Sequence, residues 1–131
     1  MQRDTIVPLA IGVVVVAAVI AGLTVTGGPT TARAEKRDMA RLADLRSLAS
    51  FVNCVSGVSG GLPLNLTPVE DCGTDLPLAD RTSQVPYRYA RLSDTGYLLC
   101  ADFERPELIT DYEVAGATWR PSQGCFAFTQ S

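Results

Sequence analysis

Four cysteines, three close pairs of carboxylates and the absence of any histidine bound the chemistry open to this chain of 131 residues. Cys54, Cys72, Cys100 and Cys125 form an even set in a short segment, the pattern of two disulfides and hence of an oxidising compartment. A four-thiol zinc site is the competing chemistry. No C-x-x-C pair is present and no histidine can substitute for a thiol, so no metal ligand is assigned, and a thioredoxin-like redox role is equally disfavoured. The carboxylate pairs are Glu70 with Asp71, Asp102 with Glu104, and Asp111 with Glu113. Two carboxylates across a cleft can act as acid and base, although adjacent ones usually solvate a surface. Serine nucleophiles lack a histidine base, and Lys36 is the sole lysine. The acidic stretch Glu104 to Glu113 offers hard oxygen ligands for calcium but no ligand motif. The residues therefore assign no catalytic site and no cofactor, and the chain is expected not to be an enzyme.

Charge is unevenly distributed around the formal total of −3. Residues 33 to 46 hold Arg33, Lys36, Arg37, Arg41 and Arg46 against three acids, whereas residues 47 to 131 hold ten acids against five arginines. The basic collar suits anionic lipid headgroups. The acidic remainder repels phosphate backbones, which disfavours nucleic acid as a partner.

The elements that must position these residues begin with an uncharged stretch, Thr5 to Ala32. Ile6 to Leu23 is apolar except for Pro8, Gly12 and Gly22, and as a helix would reach about 27 Å, close to the thickness of a hydrocarbon core. Ala32-Arg33-Ala34 resembles a signal-peptidase site, but the run is longer than an ordinary signal h-region and ends well before that pattern. We expect an uncleaved transmembrane helix over 5–26, a short N-terminal segment 1–4 on the cytoplasmic side, a Gly/Pro linker 27–31 and an outer domain 32–131. Ala17 with Ala21 and Ala18 with Gly22 put small residues at four-residue spacing, which lets a second membrane helix approach closely. The basic collar alone would hold the C-terminal domain in the cytoplasm. Long C-terminal domains cross largely regardless of charge, so the cysteines decide for the outside.

Beyond the linker, Leu42, Leu45, Ala49 and Val52 make a helical stripe, widened by Leu48 and Phe51, within a helix expected over about 32–54. Asp38, Arg41 and Asp44 are spaced for i, i+3 pairs on the opposite, solvated side. Ser56 to Val85 is rich in Gly, Pro, Ser, Thr and Asp and reads as an irregular connection. Three strands follow: 87–92, 97–104 and 125–129, the first two joined by the turn Ser93-Asp94-Thr95-Gly96. Period-2 alternation places Tyr97, Leu99, Ala101 and Phe103 on one face and Cys100 on the other, and likewise separates Phe126 and Phe128 from Cys125. With the aromatic faces on the helix, Cys100 and Cys125 meet on the outer face, leaving Cys54 to pair with Cys72. Trp119 and Arg120, in an apparent loop beside Pro121, are candidate interface residues.

The order of elements, with Arg37-Asp38, Arg41-Leu42, Asp44-Leu45-Arg46, Leu78-Ala79-Asp80, Pro86-Tyr87-Arg88-Tyr89, Tyr97-Leu98-Leu99-Cys100-Ala101 and Gly124-Cys125-Phe126, resembles small bacterial pilin-like and pseudopilin-like membrane proteins over roughly residues 33–126. The resemblance implies an α+β fold on the outer, periplasmic side of the inner membrane, without an activity. A prepilin-peptidase site followed by an aromatic residue and a glutamate in the apolar run is missing here. The expected function is that of a non-catalytic single-pass inner-membrane protein. Its disulfide-stapled domain would serve as an accessory or scaffold subunit of an integral membrane complex or other envelope component. The alternatives are a minor pilin-like component of a secretion or filament system, and a small periplasmic ligand-binding or enzymatic domain.

Overall fold

A computed structural model describes residues 2–131 of the chain. The expected N-terminal segment 1–4 begins at Met1, which lies outside the described residues. The chain divides into two compact units, the first ending at Ala34 and the second running Glu35–Ser131.

The first unit is built on α1, Gln2–Val25, whose 18-residue apolar window has a mean hydropathy of 2.8 and no buried residue. It is the one helix among the described residues long and apolar enough to cross a membrane. Thr24 and Thr26 turn their hydroxyls back onto the carbonyls of Ala21 and Gly22, so the polar groups at the helix end are satisfied locally. The linker is shorter than 27–31. α2, Pro29–Ser59, starts at Pro29 because proline at the first helical position gives up only an N–H that would be unpaired there. The Gly28 carbonyl accepts the Ala32 N–H at 3.3 Å.

At its other end α2 continues five residues past the expected stop at Cys54. Gly57 is tolerated within the helix, and the chain leaves it at Gly60, where φ is +76° and the N–H donates to the Ser56 carbonyl at 2.9 Å.

The second unit is α+β. Past Ser59, the remainder of the expected irregular connection carries, among the described residues, the isolated bridges Val69 with Gly73 and Ala79 with Pro86. It leads into a four-stranded antiparallel sheet of β1 (Arg88–Arg91), β2 (Gly96–Cys100), β3 (Ala117–Arg120) and β4 (Cys125–Thr129), in the order β1-β2-β4-β3. β3 is a fourth strand where the sequence suggested a loop. It brings Trp119 opposite Phe126 in the ladder.

The helical stripe and the aromatic sheet face form one core: Leu42, Leu45, Leu48, Ala49 and Val52 pack with Tyr97, Leu99, Trp119, Phe126 and Phe128. The rings of Tyr97 and Phe128 stack with centroids 4.7 Å apart, and Phe103 meets Trp119 edge-on at 5.3 Å. Trp119 is only 9% exposed, so its indole belongs to this core and is not presented to a partner. Arg120 lies on the opposite sheet face and is exposed.

Both disulfides are present, Cys54–Cys72 and Cys100–Cys125. Cys100 and Cys125 are direct cross-strand partners. The Ala101 N–H donates to the Gly124 carbonyl at 3.0 Å, which makes the neighbouring cysteines a non-hydrogen-bonded pair with their Cα atoms 4.0 Å apart.

Two predictions concern this core. Gly124 has φ +64°, and a Cβ there would lie 2.7 Å from the Ala101 carbonyl oxygen. Gly124→Ala should therefore lower stability by about 2 kcal/mol or more, read as a reduced urea midpoint. The Tyr97 hydroxyl is fully buried and has no hydrogen-bond partner among the described residues, and burial pushes its pKa up to about 12. Tyr97→Phe removes that unpaired group and is expected to raise stability by about 1 kcal/mol. A lower midpoint for the Phe variant would contradict this.

Candidate functional site

Asp38 and Arg41 do not face solvent. Stepping along α2, positions 38, 41, 45, 48 and 52 fall on a single face, so the two charged residues extend the apolar stripe and are carried under the rest of the fold. They are 4% and 5% exposed. This corrects the solvated charged face expected from the i, i+3 spacing. The physical reason is that two distant segments, around Asp80 and Glu104, close over the helix there.

Each segment arrives with a carboxylate for Arg41. Its Nη1 donates to Asp38 at 2.6 Å and to Glu104 at 3.0 Å, and its Nε donates to Asp80 at 2.7 Å. Asp38 also accepts the backbone N–H groups of Glu104 and Arg105, at 3.0 and 2.7 Å, which fixes that turn of chain against α2. Asp80 organises its own turn, accepting the Thr82 N–H and the Ser83 hydroxyl. Arg37 adds a two-pronged contact to Glu104, at 2.6 and 2.7 Å. Asp44 takes no arginine in this network. It accepts the Tyr87 hydroxyl at 2.7 Å, and burial together with that carboxylate raises the tyrosine above its ordinary range.

The ionisation equilibria follow this geometry. Burial works against the Arg41 charge, but the hydrogen bonds it donates to Asp38, Asp80 and Glu104 outweigh it and hold the guanidinium more firmly protonated than usual. Burial likewise opposes the Asp80 anion, and the Thr82 N–H, the Ser83 hydroxyl and Arg41 together bring its pKa below the ordinary value. Glu104 is drawn down to about 2, first by Arg37 and then by Arg41.

The three carboxylate pairs weighed for acid-base chemistry are dispersed. Glu70 and Asp71 are exposed in the connection. Asp102 meets Arg88 at 3.0 Å on the outer sheet face, while Glu104 joins the Arg41 network. Asp111 accepts the Trp119 N–H at 2.7 Å, and Glu113 lies 3.4 Å from Arg46. The same contacts occupy the acidic stretch considered for calcium, where Glu107 pairs with Arg105. Among the described residues no cluster of three or more metal-ligating side chains has the geometry of a metal site. The basic collar is also partly spent. Arg37, Arg41 and Arg46 pair with acids of the domain, leaving Arg33 and Lys36 to meet any anionic surface.

The Arg41 network shapes a cleft. By pinning Glu104 and Arg105 to Asp38, it sets the 3-10 turn Pro106–Leu108 beside α2, leaving a cavity of about 180 Å³. Leu42 and Ile109 form its buried floor, and Met39 and Leu108 its exposed walls at 58% and 48%. Glu35 and Glu113 also line it. Neither Met39 nor Leu108 stood out in the sequence. Arg41 and Asp38 carried a readable signal, being charged residues in phase with an apolar stripe.

On α1, the small residues Ala17, Ala18, Ala21 and Gly22 occupy one side, exposed. A shallow apolar groove along Pro8, Gly12, Val16 and Ile20 shares Ala17 with that side and otherwise turns away from it. No family model, curated protein or solved structure matches the chain.

Proposed function

We propose that this protein is a non-catalytic, single-pass inner-membrane protein whose disulfide-stapled domain lies in the periplasm and serves as an accessory or scaffold subunit of an integral membrane complex. The observation that carries the reading is the pairing of a wholly unburied apolar helix with a separate unit that has its own core and two disulfides. Such a helix is stable only in lipid or against other membrane helices, and such bridges persist only in an oxidising compartment.

In this reading α1 docks through Ala17, Ala18, Ala21 and Gly22, which let a neighbouring helix approach closely. The test replaces these four with leucine and compares the size of the native complex after mild detergent extraction. A shift to the free subunit supports the proposal; an unchanged complex overturns it. Labelling of Cys54→Ser protein, whose Cys72 is then a free thiol, with a membrane-impermeant reagent in intact cells reports the side of the membrane.

A minor pilin-like component is the second reading. It is favoured by the closeness of the two helices in the chain, α1 ending at Val25 and α2 beginning at Pro29, and by the packing of α2 on an antiparallel sheet. That reading requires an N-terminus shortened by a peptidase, which intact-mass measurement of the protein from membranes decides.

A further inference from the structure

We infer that the cleft between α2 and the Pro106–Leu108 turn is a docking site for a partner segment that carries one bulky apolar side chain beside a lysine or arginine. The inference rests on the accessory-subunit reading and names the chemistry of the partner contact made by the outer domain.

Size comes first. At about 180 Å³ the cleft falls well below the range of roughly 300–1,000 Å³ that encloses a small-molecule ligand or cofactor, and suits a single inserted side chain. Its lining is the second argument. Scattered exposed apolar residues are ordinary on a protein surface. Here two of them, Met39 and Leu108, flank a concave floor formed by Leu42 and Ile109, and methionine adapts readily to an inserted group. Tyr112, 95% exposed, stands beside the lining residue Glu113 in the chain and supplies an amphipathic ring of the kind favoured at interfaces.

Charge selects the occupant. Arg105 is the one cation lining the cleft among the described residues, and it is engaged by Glu107. Glu113 is partly neutralised by Arg46 at 3.4 Å. Glu35 lines the cleft, is exposed, and forms no ion pair among the described residues; the nearby charge it acts on, Arg105, is already shared with Glu107 and Asp38, so the rim keeps an excess of negative charge. A cation next to the inserted side chain meets that charge, whereas an acidic neighbour is repelled. The wall is also held in place before any partner arrives. Asp38 binds the backbone of Glu104 and Arg105 and is itself held by Arg41, so docking does not have to order this turn.

The protein offers its own reporter. It has two methionines, Met1 and Met39, so full-length protein labelled with ¹³C-methyl methionine and embedded in nanodiscs of zwitterionic lipid places one signal in the cleft. The probes are two capped peptides sharing a Leu-Phe core, one flanked by lysines and the other by glutamates. We expect the lysine peptide to shift the Met39 methyl signal saturably and the glutamate peptide to leave it unmoved. Glu35→Lys, a change at an exposed position, should weaken the lysine peptide about fivefold. Leu108→Trp, which fills the cleft, should abolish the response. Equal shifts from both peptides, an undiminished affinity in the Glu35→Lys protein, or no saturable shift would each overturn the inference. So would a Met39 shift that grows with protein concentration in the absence of peptide, which would make a second copy of the chain the occupant. The leucine substitutions in α1 leave the cleft untouched, so complex loss in that variant and the peptide response succeed or fail separately.

Discussion

Replacing Arg41 with methionine should lower the stability of the second unit by about 3–5 kcal/mol, the usual cost of removing one partner from a buried ion pair. The side chain is 5% exposed and is shared by three carboxylates. Without it, Asp38 keeps only the N–H groups of Glu104 and Arg105, and Asp80 only those of its own turn. Two buried anions would then lose the cation in direct contact with them. Domains of this size are typically stable by only about 5–15 kcal/mol, so the variant should retain a small part of its margin. Trp119, the sole tryptophan, reports the transition directly, because its indole packs on Phe126 at 4.7 Å and leaves that contact on unfolding. Arg46→Met, at an exposed pair, serves as the control and should cost less than about 1 kcal/mol. A comparable loss in the two variants would refute the buried-network account.

The acid dependence of stability has a defined sign. Glu104 and Asp80 have pKa values below their ordinary ones in the folded protein, so folding is favoured by their ionisation. That contribution is complete above the ordinary carboxylate range and is lost as pH falls. For Glu104 the loss runs from about 4.5 down to about 2. The Arg41→Met protein should show a shallower decline across this window, because part of what lowers both carboxyls is gone. Arg37 still holds Glu104, so the dependence should be reduced without disappearing.

Removal of both disulfides is the second large effect. The bridges join residues 18 and 25 apart, and by loop-closure entropy each contributes about 3 kcal/mol, or about 6 kcal/mol for the pair. That is comparable to the whole stability of a small domain, so full reduction should unfold the second unit at physiological temperature, again read by Trp119 emission. The two bridges should differ in what they hold locally. Cys72 lies in a connection with little regular structure, between Gly60 and the sheet. Cys54→Ser with Cys72→Ser should therefore raise amide exchange across residues 60–78 while β2 and β4 stay protected. Cys100→Ser with Cys125→Ser acts where a ladder already pairs the chains, and there exchange should rise at the β2–β4 end beside Ala101 and Gly124.

Much of this architecture was legible from local pattern. The apolar run from Ile6 to Leu23 is long enough to show as a single helix that could cross a membrane, so α1 needed no tertiary information. The stripe Leu42, Leu45, Ala49 and Val52 marked the buried face of α2, and strand alternation put the aromatic side chains on one face and Cys100 and Cys125 on the other. The cysteine pairing followed, because cross-strand partners on one face must be neighbours.

What only the tertiary structure decided depended on segments that return from far along the chain. β3 is four residues of Ala-Thr-Trp-Arg, too short to display a period, and becomes a strand because β4 offers it a paired edge. With it, Trp119 moved from a supposed surface loop into the core. Asp38 and Arg41 looked solvated because sequence spacing shows which charges can pair along a helix but not whether anything covers them. Asp80 and Glu104, 39 and 63 residues away from Arg41, supply that cover. The cleft beside Met39 and Leu108 exists only because those contacts hold the returning chain against α2. Periodicity determined which face of each element is apolar; long-range packing determined which charges went inside and where a concave surface was left open.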